Sequence, residues 1–227
     1  ILNTLFFMTA FWFLWKIPLC ESLESLRKKN FASNSISKNK LLNKNLSKEL
    51  SEKEYISLMN KLKISVIIPA RNEEKNLKAL FKSLSQQKFR PYEVILVNDQ
   101  STDNTEKIGI ENNAKIINIY NLPYGWFGKP WACYNGALAA KGNIFLFLDA
   151  DTTLEPQGLE NLAISYLIYN GVISVQPFHK IKKLYENFAS YFNLILMGSM
   201  NVFTPLQFKV KPIGAFGPCL FCKKDTY

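Results

Sequence analysis

Three short runs constrain the fold more than anything else in the chain. Ile64–Ile68, Tyr92–Val97 and Ile144–Leu148 are almost wholly apolar, and each leads directly into proline, polar or acidic residues. Runs of that length without polar alternation suit strands buried on both faces rather than helices. Helical patterns separate them. Asn72-Glu73-Glu74 opens one with Leu77, Leu80, Phe81 and Leu84 on a single face; others cover about Trp131 to Ala140 and about Pro156 to Tyr169. Lys115–Ile119 and Val172–Val175 supply further strands. Strands alternating with crossover helices predict an α/β fold around a parallel sheet. Pro69 is expected to end the first strand, because proline cannot donate to the ladder.

Composition excludes several classes. Of the 227 residues 48% are hydrophobic and 20% charged, which is incompatible with disorder throughout, and four cysteines do not make a disulfide scaffold. The length suits one α/β domain with additions. A net charge of +10 would suit nucleic acid, an anionic membrane face or a phosphorylated ligand, so its location matters. Lys16 to Lys63 holds eleven Lys or Arg against five Glu, and no nucleic-acid motif accompanies them. No nucleic-acid partner is expected.

That basic stretch follows Ile1–Trp15, which carries no charge and is rich in Phe and Trp. We read residues 1–20 as a membrane anchor. Fifteen residues fall short of the roughly 20 that span a bilayer. Ile1 is not an initiator Met, so the segment is expected to extend upstream. A signal peptide is the rival reading, although Ile17-Pro18-Leu19 lacks the small residues of a cleavage site; a buried helix is the third. With an anchor, Arg27-Lys28-Lys29 places the remainder in the cytoplasm. Residues 21–61 then form a basic juxtamembrane linker, partly helical near Leu41 to Met59, that either meets anionic lipid or is a solvated spacer. The folded domain occupies 62–227.

The acids cluster where strands end. Ligands of open α/β sheets bind beyond the carboxyl ends of the strands, and Asp99, Asp149 and Asp151 are all expected to converge there. Asp149 and Asp151 are two apart in a segment read as extended, which turns both side chains one way and suits a divalent cation. A metal held so favours diphosphate. Asp-x-Asp alone serves equally well in an ordinary turn.

Four segments in order carry a resemblance: Ile64-Ser-Val-Ile-Ile-Pro-Ala-Arg-Asn-Glu-Glu74, Val94-Ile-Leu-Val-Asn-Asp-Gln-Ser-Thr-Asp103, Gly128-Lys-Pro-Trp-Ala-Cys-Tyr-Asn-Gly136 and Phe147-Leu-Asp-Ala-Asp151. They resemble family 2 glycosyltransferases of the GT-A, Rossmann-like fold. Ser174–His179, Tyr185–Phe188, Gly198–Phe203 and Ala215–Pro218 are similar to a bacterial subgroup of that family acting in carotenoid biosynthesis. The resemblance covers Lys63 to Tyr227.

The resemblance implies an inverting transfer of a sugar, with glucose expected, from a UDP-sugar to a lipid-like or isoprenoid acceptor. It implies that Pro69, Arg71 and Glu73 line the nucleotide pocket and that Asp99 accepts the uracil N3–H. Asp149, with Ala150 beside it, would contact ribose or the metal, and Asp151 would coordinate Mg²⁺ or Mn²⁺. Relatives often carry Tyr where Arg71 stands, so a guanidinium contact replaces ring stacking. Lys129 reaches a phosphate, or is an exposed residue at a helix start. The base of relatives lies beyond the segment matched by Ala215–Cys222, so it is expected past Tyr227, and the chain reads as a fragment with an incomplete C-terminal part. The alternative is a nucleotide-sugar-binding or scaffold protein without turnover.

Other residues receive plainer readings. His179 is expected to be a hydrogen-bonded loop imidazole. Cys219 and Cys222 are expected on opposite faces of a strand, as core residues, and Asp225 as a helix cap. Asn187–Phe208 carries no charge but has too many polar and helix-breaking residues for a lipid-facing span. A membrane-surface helix and a core helix both fit it.

Overall fold

The computed structural model describes residues 52–177, Ile195 and 214–227. Residues 1–51, His179 and all of Asn187–Phe208 except Ile195 lie outside the described residues, and with them the expected anchor and most of the linker. The chain divides into two compact units, one of residues 20–176 and 217–227 and the other of 1–19 and 177–216. Every described strand belongs to the first unit. No described helix is long and apolar enough to cross a membrane.

Helix α1 (Glu52–Lys61) leads into β1 (Ile64–Ala70), α2 (Glu74–Ser85), β2 (Glu93–Asp99), α3 (Thr105–Glu111), β3 (Lys115–Ile119) and α4 (Gly128–Ala139). Next come β4 (Ile144–Leu148), α5 (Gly158–Tyr169), the short β5 (Ile173–Ser174), β6 (Cys219–Lys223) and a 3₁₀ turn at Lys224–Thr226. They form one mixed sheet in the order β3-β2-β1-β4-β6-β5. β1 pairs in parallel with β2 and β4, and β2 with β3, while β6 runs antiparallel to β4 and to β5. The ends of β1, β2, β3 and β4 therefore open on one edge.

The apolar runs are strands because both faces of the sheet are covered. Val66, Ile68, Leu96, Leu146 and Phe221 pack with α2, α3 and α5 through Leu77, Leu80, Ile108 and Leu159. Ile67, Ile95, Val97, Phe145 and Phe147 point the other way, toward Ala132 and Ala137 of α4. Cys219 belongs to the first cluster and Cys222 to the second, as their spacing in a strand predicts.

Several boundaries differ from expectation, among them that of β2, which runs on to Asp99. β1 continues through Pro69 to Ala70, with Pro69 in register with Val97. Pairing with β4 has ended at Ile67, so the missing proline N–H interrupts no second ladder. α4 begins at Gly128, three residues early, because Pro130 falls in its first turn, where proline is tolerated. The last predicted strand shortens to Ile173–Ser174.

α4 lies very close to the sheet. A Cβ on Gly136 would collide with the Ile67 methyl and reach 3.0 Å from that of Val97. At the opposite edge from the acids, Ser65 and Glu93 close the sheet: the Ser65 hydroxyl donates to Glu93 at 2.6 Å, and the Gly142 N–H donates to Ser65 at 2.9 Å. Gly136→Val is expected to overpack the interface and lower stability by about 1–3 kcal/mol, read as a lower denaturant midpoint at unchanged slope.

Candidate active site

Two loops at the open edge are laced together. Asn72, after β1, has φ +56°, a conformation Asn tolerates better than most residues. Its N–H donates to the Ser101 hydroxyl at 3.0 Å, and its side-chain oxygen accepts the Thr102 N–H at 2.8 Å. The Glu73 N–H donates to Thr105 Oγ1 at 2.8 Å and the Glu74 N–H to Asp103 at 3.1 Å. Glu74 returns the contact by accepting the Asn104 N–H at 3.0 Å. The run from Asn98 to Asp103 thus binds the loop after β1 as well as leading into α3. These bonds fix the loops that carry Arg71 and Asp99.

Asp99 is largely buried, and Arg71 Nη1 stands 4.0 Å from its Oδ2. The backbone of Gly128 faces the same carboxylate, since a Cβ there would come to 3.0 Å of Asp99 Oδ2. Lys129, the next residue, holds Asp149 Oδ1 at 2.6 Å; its side chain is 52% exposed and that of Asp149 22%. An exposed pair of this kind is worth about 1 kcal/mol or less. The first turn of α4 therefore stands between the acid ending β2 and the acid following β4. Lys129 is indeed an exposed residue at a helix start, and it is also bonded into the strand-end acids.

The segment around Asp149 corrects an expectation. It is a tight turn rather than extended chain, because the Thr152 N–H and hydroxyl both donate to the Asp149 carbonyl, at 3.0 and 2.7 Å. The Asp149 N–H donates to the Pro218 carbonyl at 3.0 Å, tying the turn to the approach to β6. Asp151 is exposed and Ala150 buried within the turn. Strand alternation thus does not align the two carboxylates. Asp99, Asp149 and Asp151 all stand at the open edge, yet among the described residues no group of three His, Cys, Asp or Glu is placed to hold a metal. Asp149 and Asp151 supply hard oxygens at an accessible turn, a donor set that suits Mg²⁺ or Mn²⁺ when substrate phosphates complete the shell.

Pro69 is half-buried at the end of β1, and Glu73 is partly exposed with its carboxylate accepting from Asn76 at 2.7 Å. Asp225 is at the wrong edge for chemistry with these acids. β6 is antiparallel to β4, which puts Lys223 opposite Ile144 at the strand's start, and Asp225 pairs there with Lys223. The hydrogen bond from Lys223 holds its carboxyl below the usual range.

An aromatic group beside the site was not expected from sequence. Trp126, Trp131 and Tyr134 lie with ring centroids 5.0 to 5.7 Å apart at the start of α4, with Trp131 packed partly against the core. They continue an exposed, uncharged loop containing Tyr120, Leu122, Tyr124 and Phe127. The signal was present in Tyr120–Gly128, a stretch with four aromatics and no charge. Burial pushes the Cys133 thiol up to about 11, with Lys129 opposing and Asp149 adding. Burial also raises the Cys222 thiol.

Comparison with known proteins places this geometry. The model of "Glycosyl transferase family 2" matches residues 65–223, and the chain belongs to that family. It is 43% identical over 169 residues to 4,4'-diaponeurosporenoate glycosyltransferase of Staphylococcus haemolyticus, covering 72% of this chain and 45% of the relative. The same enzyme of a bovine Staphylococcus aureus strain is 39% identical over 172 residues, covering 74% and 46%. The chain thus spans about half the length of the curated relatives it matches. Among solved structures, glucosyl-3-phosphoglycerate synthase of Mycobacterium tuberculosis, in complex with Mn²⁺, UDP and glucosyl-3-phosphoglycerate, is similar in fold. The TM-score is 0.54 at 20% identity, covering 78% of this chain and 62% of that one.

Two outcomes are expected from this geometry. Burial pushes the Asp103 carboxyl up, but hydrogen bonds from Thr105 and the Glu74 N–H outweigh it and hold it below its usual value. A carboxyl lowered in the folded state stabilises above its unfolded value and loses that contribution as pH falls through the folded one. Acidification below about pH 4 is expected to speed hydrogen exchange at the Glu74 and Thr105 amides before the central strands open. Cys133 and Cys222 are expected to resist thiol reagents at neutral pH until the protein is unfolded.

Proposed function

We propose that the open strand edge is the donor site of a glycosyltransferase that moves a sugar from a UDP-sugar to an apolar, isoprenoid-type acceptor. The observation that carries the reading is the convergence at the first turn of α4. Gly128 faces Asp99, and Lys129 holds Asp149. Asp99 supplies an acceptor for the N3–H of uracil, a base with a donor on that edge. Arg71, within ion-pair range of Asp99, borders the base; Pro69 and Glu73 shape the same side.

Lys129 is placed to neutralise a phosphate, and the Asp149–Asp151 turn to meet ribose and phosphate oxygens. Mg²⁺ or Mn²⁺, when bound at Asp151 and Asp149, supplies charge neutralisation for the departing diphosphate. Inversion at the sugar follows from in-line attack by the acceptor oxygen, which needs a base for its proton only when the acceptor is a hydroxyl rather than a carboxylate. The acceptor reading is supported by the name of the staphylococcal relatives and by the aromatic surface beside α4. We place the enzyme at the cytoplasmic face of the cell membrane. The uncharged Ile1–Trp15 followed by Arg27-Lys28-Lys29 supports that location.

A second reading, a nucleotide-sugar-binding protein without turnover, shares the donor site and differs only at the proton acceptor. Asp225, at the far edge, is not that proton acceptor.

Calorimetric titration of UDP into the 227-residue chain, with and without Mn²⁺, tests the donor site. UDP binding that Mn²⁺ tightens is expected, weakened in its presence about tenfold or more, roughly 1.4 kcal/mol, by Asp151→Ala and by Asp99→Ala. Absence of UDP binding by folded protein, or binding indifferent to both substitutions, would sink the assignment. Transfer from UDP-glucose to an isoprenoid carboxylic acid then separates enzyme from binding protein.

A further inference from the structure

We propose that Lys129 is a built-in counter-ion for Asp149, so that a divalent cation and a nucleotide diphosphate bind with positive coupling as this one lysine changes partners. The proposal rests on the donor-site reading above and adds a mechanism to it. The two halves of the pair differ in freedom. The backbone of Asp149 is fixed, since its N–H is bonded to Pro218 and its carbonyl holds Thr152, and its short side chain is only 22% exposed. Lys129 is half exposed, and the backbone of Gly217 beside it carries no side chain to confine the ammonium. The long, exposed lysine side chain therefore has more room to move than the short carboxylate.

With the pair closed at 2.6 Å, a divalent ion arriving alone meets a carboxylate already neutralised and a positive charge beside it. Both effects weaken its binding. A diphosphate offers the ammonium a partner of higher charge, and once Lys129 turns to it, Asp149 is left open to the metal. A metal that arrives first likewise releases Lys129 for the phosphates. Linkage requires the two effects to be equal. Lys129 acts here through Asp149 and is a positioning residue toward the metal.

The experiment uses the 227-residue chain as wild type, Lys129→Met, Lys129→Arg and, as a charge-loss control at the opposite edge, Lys141→Met. Free Mn²⁺ is counted by electron paramagnetic resonance without nucleotide, and UDP affinity is measured separately without metal. Lys129→Met is expected to tighten Mn²⁺ alone by roughly two- to fivefold, the scale of an exposed ion pair. It is expected to weaken UDP alone by a similar factor. Lys129→Arg should restore both values, and Lys141→Met should move neither.

Opposite shifts are the signature, because a lysine that merely supports the fold would weaken both ligands together. Unchanged Mn²⁺ affinity in Lys129→Met, while the wild type binds UDP with Mn²⁺, would overturn the coupling and leave the donor site standing. Equal tightening by Lys141→Met would overturn it in favour of a general charge effect. A wild type that binds no UDP at all would overturn the donor reading and this proposal with it.

Discussion

Everything at the open edge depends on how closely α4 packs against the sheet. Gly136 brings the helix onto Ile67 and Val97 with no space for a methyl group, and that contact sets how close the helix lies to the sheet. Its first turn then falls between the acid that ends β2 and the acid in the turn after β4. Gly128 meets Asp99 and Lys129 meets Asp149 in that first turn. The buried faces of β1 and β2 thus set the spacing of polar groups several residues away. Packing density transmits position in this manner because interiors tolerate little displacement.

The loops add a second layer of positioning. Asn72 adopts a left-handed backbone conformation and hands its amide and its side-chain oxygen to Ser101 and Thr102. Asn98 extends the same support inward, donating to Asn118 on β3 and accepting from Ser101. Few of these residues would touch a ligand. They hold the ones that would, which is the requirement for binding charged phosphates without paying for loop ordering each time.

Much of this was legible in the sequence, for definite reasons. Ile64–Ile68 and Ile144–Leu148 announced doubly covered strands because no polar residue but Ser65 interrupts them, and Ser65 is satisfied by Glu93. That Asp99 and Asp149 stand at one edge was legible because the ends of parallel strands lie together. The bend at Asp149–Thr152 was not legible, since it depends on a threonine hydroxyl and N–H returning to one carbonyl. Nor was the Lys129–Asp149 pair, which joins residues twenty apart through a tertiary contact. Pro69 misled for a related reason: its cost depends on whether a second strand is alongside, and that is a property of the sheet.

The central claim is that nucleotide and metal meet at the first turn of α4 and the turn after β4. Paramagnetic broadening of amide resonances by trace Mn²⁺ in the presence of UDP tests it most directly. Loss of signal should centre on Asp149–Thr152, Gly128–Lys129 and Gly217, while Ile64, Lys141 and Asn143 at the opposite edge stay sharp. Broadening centred on the opposite edge, or none at all in a sample that binds UDP and Mn²⁺, would contradict the account.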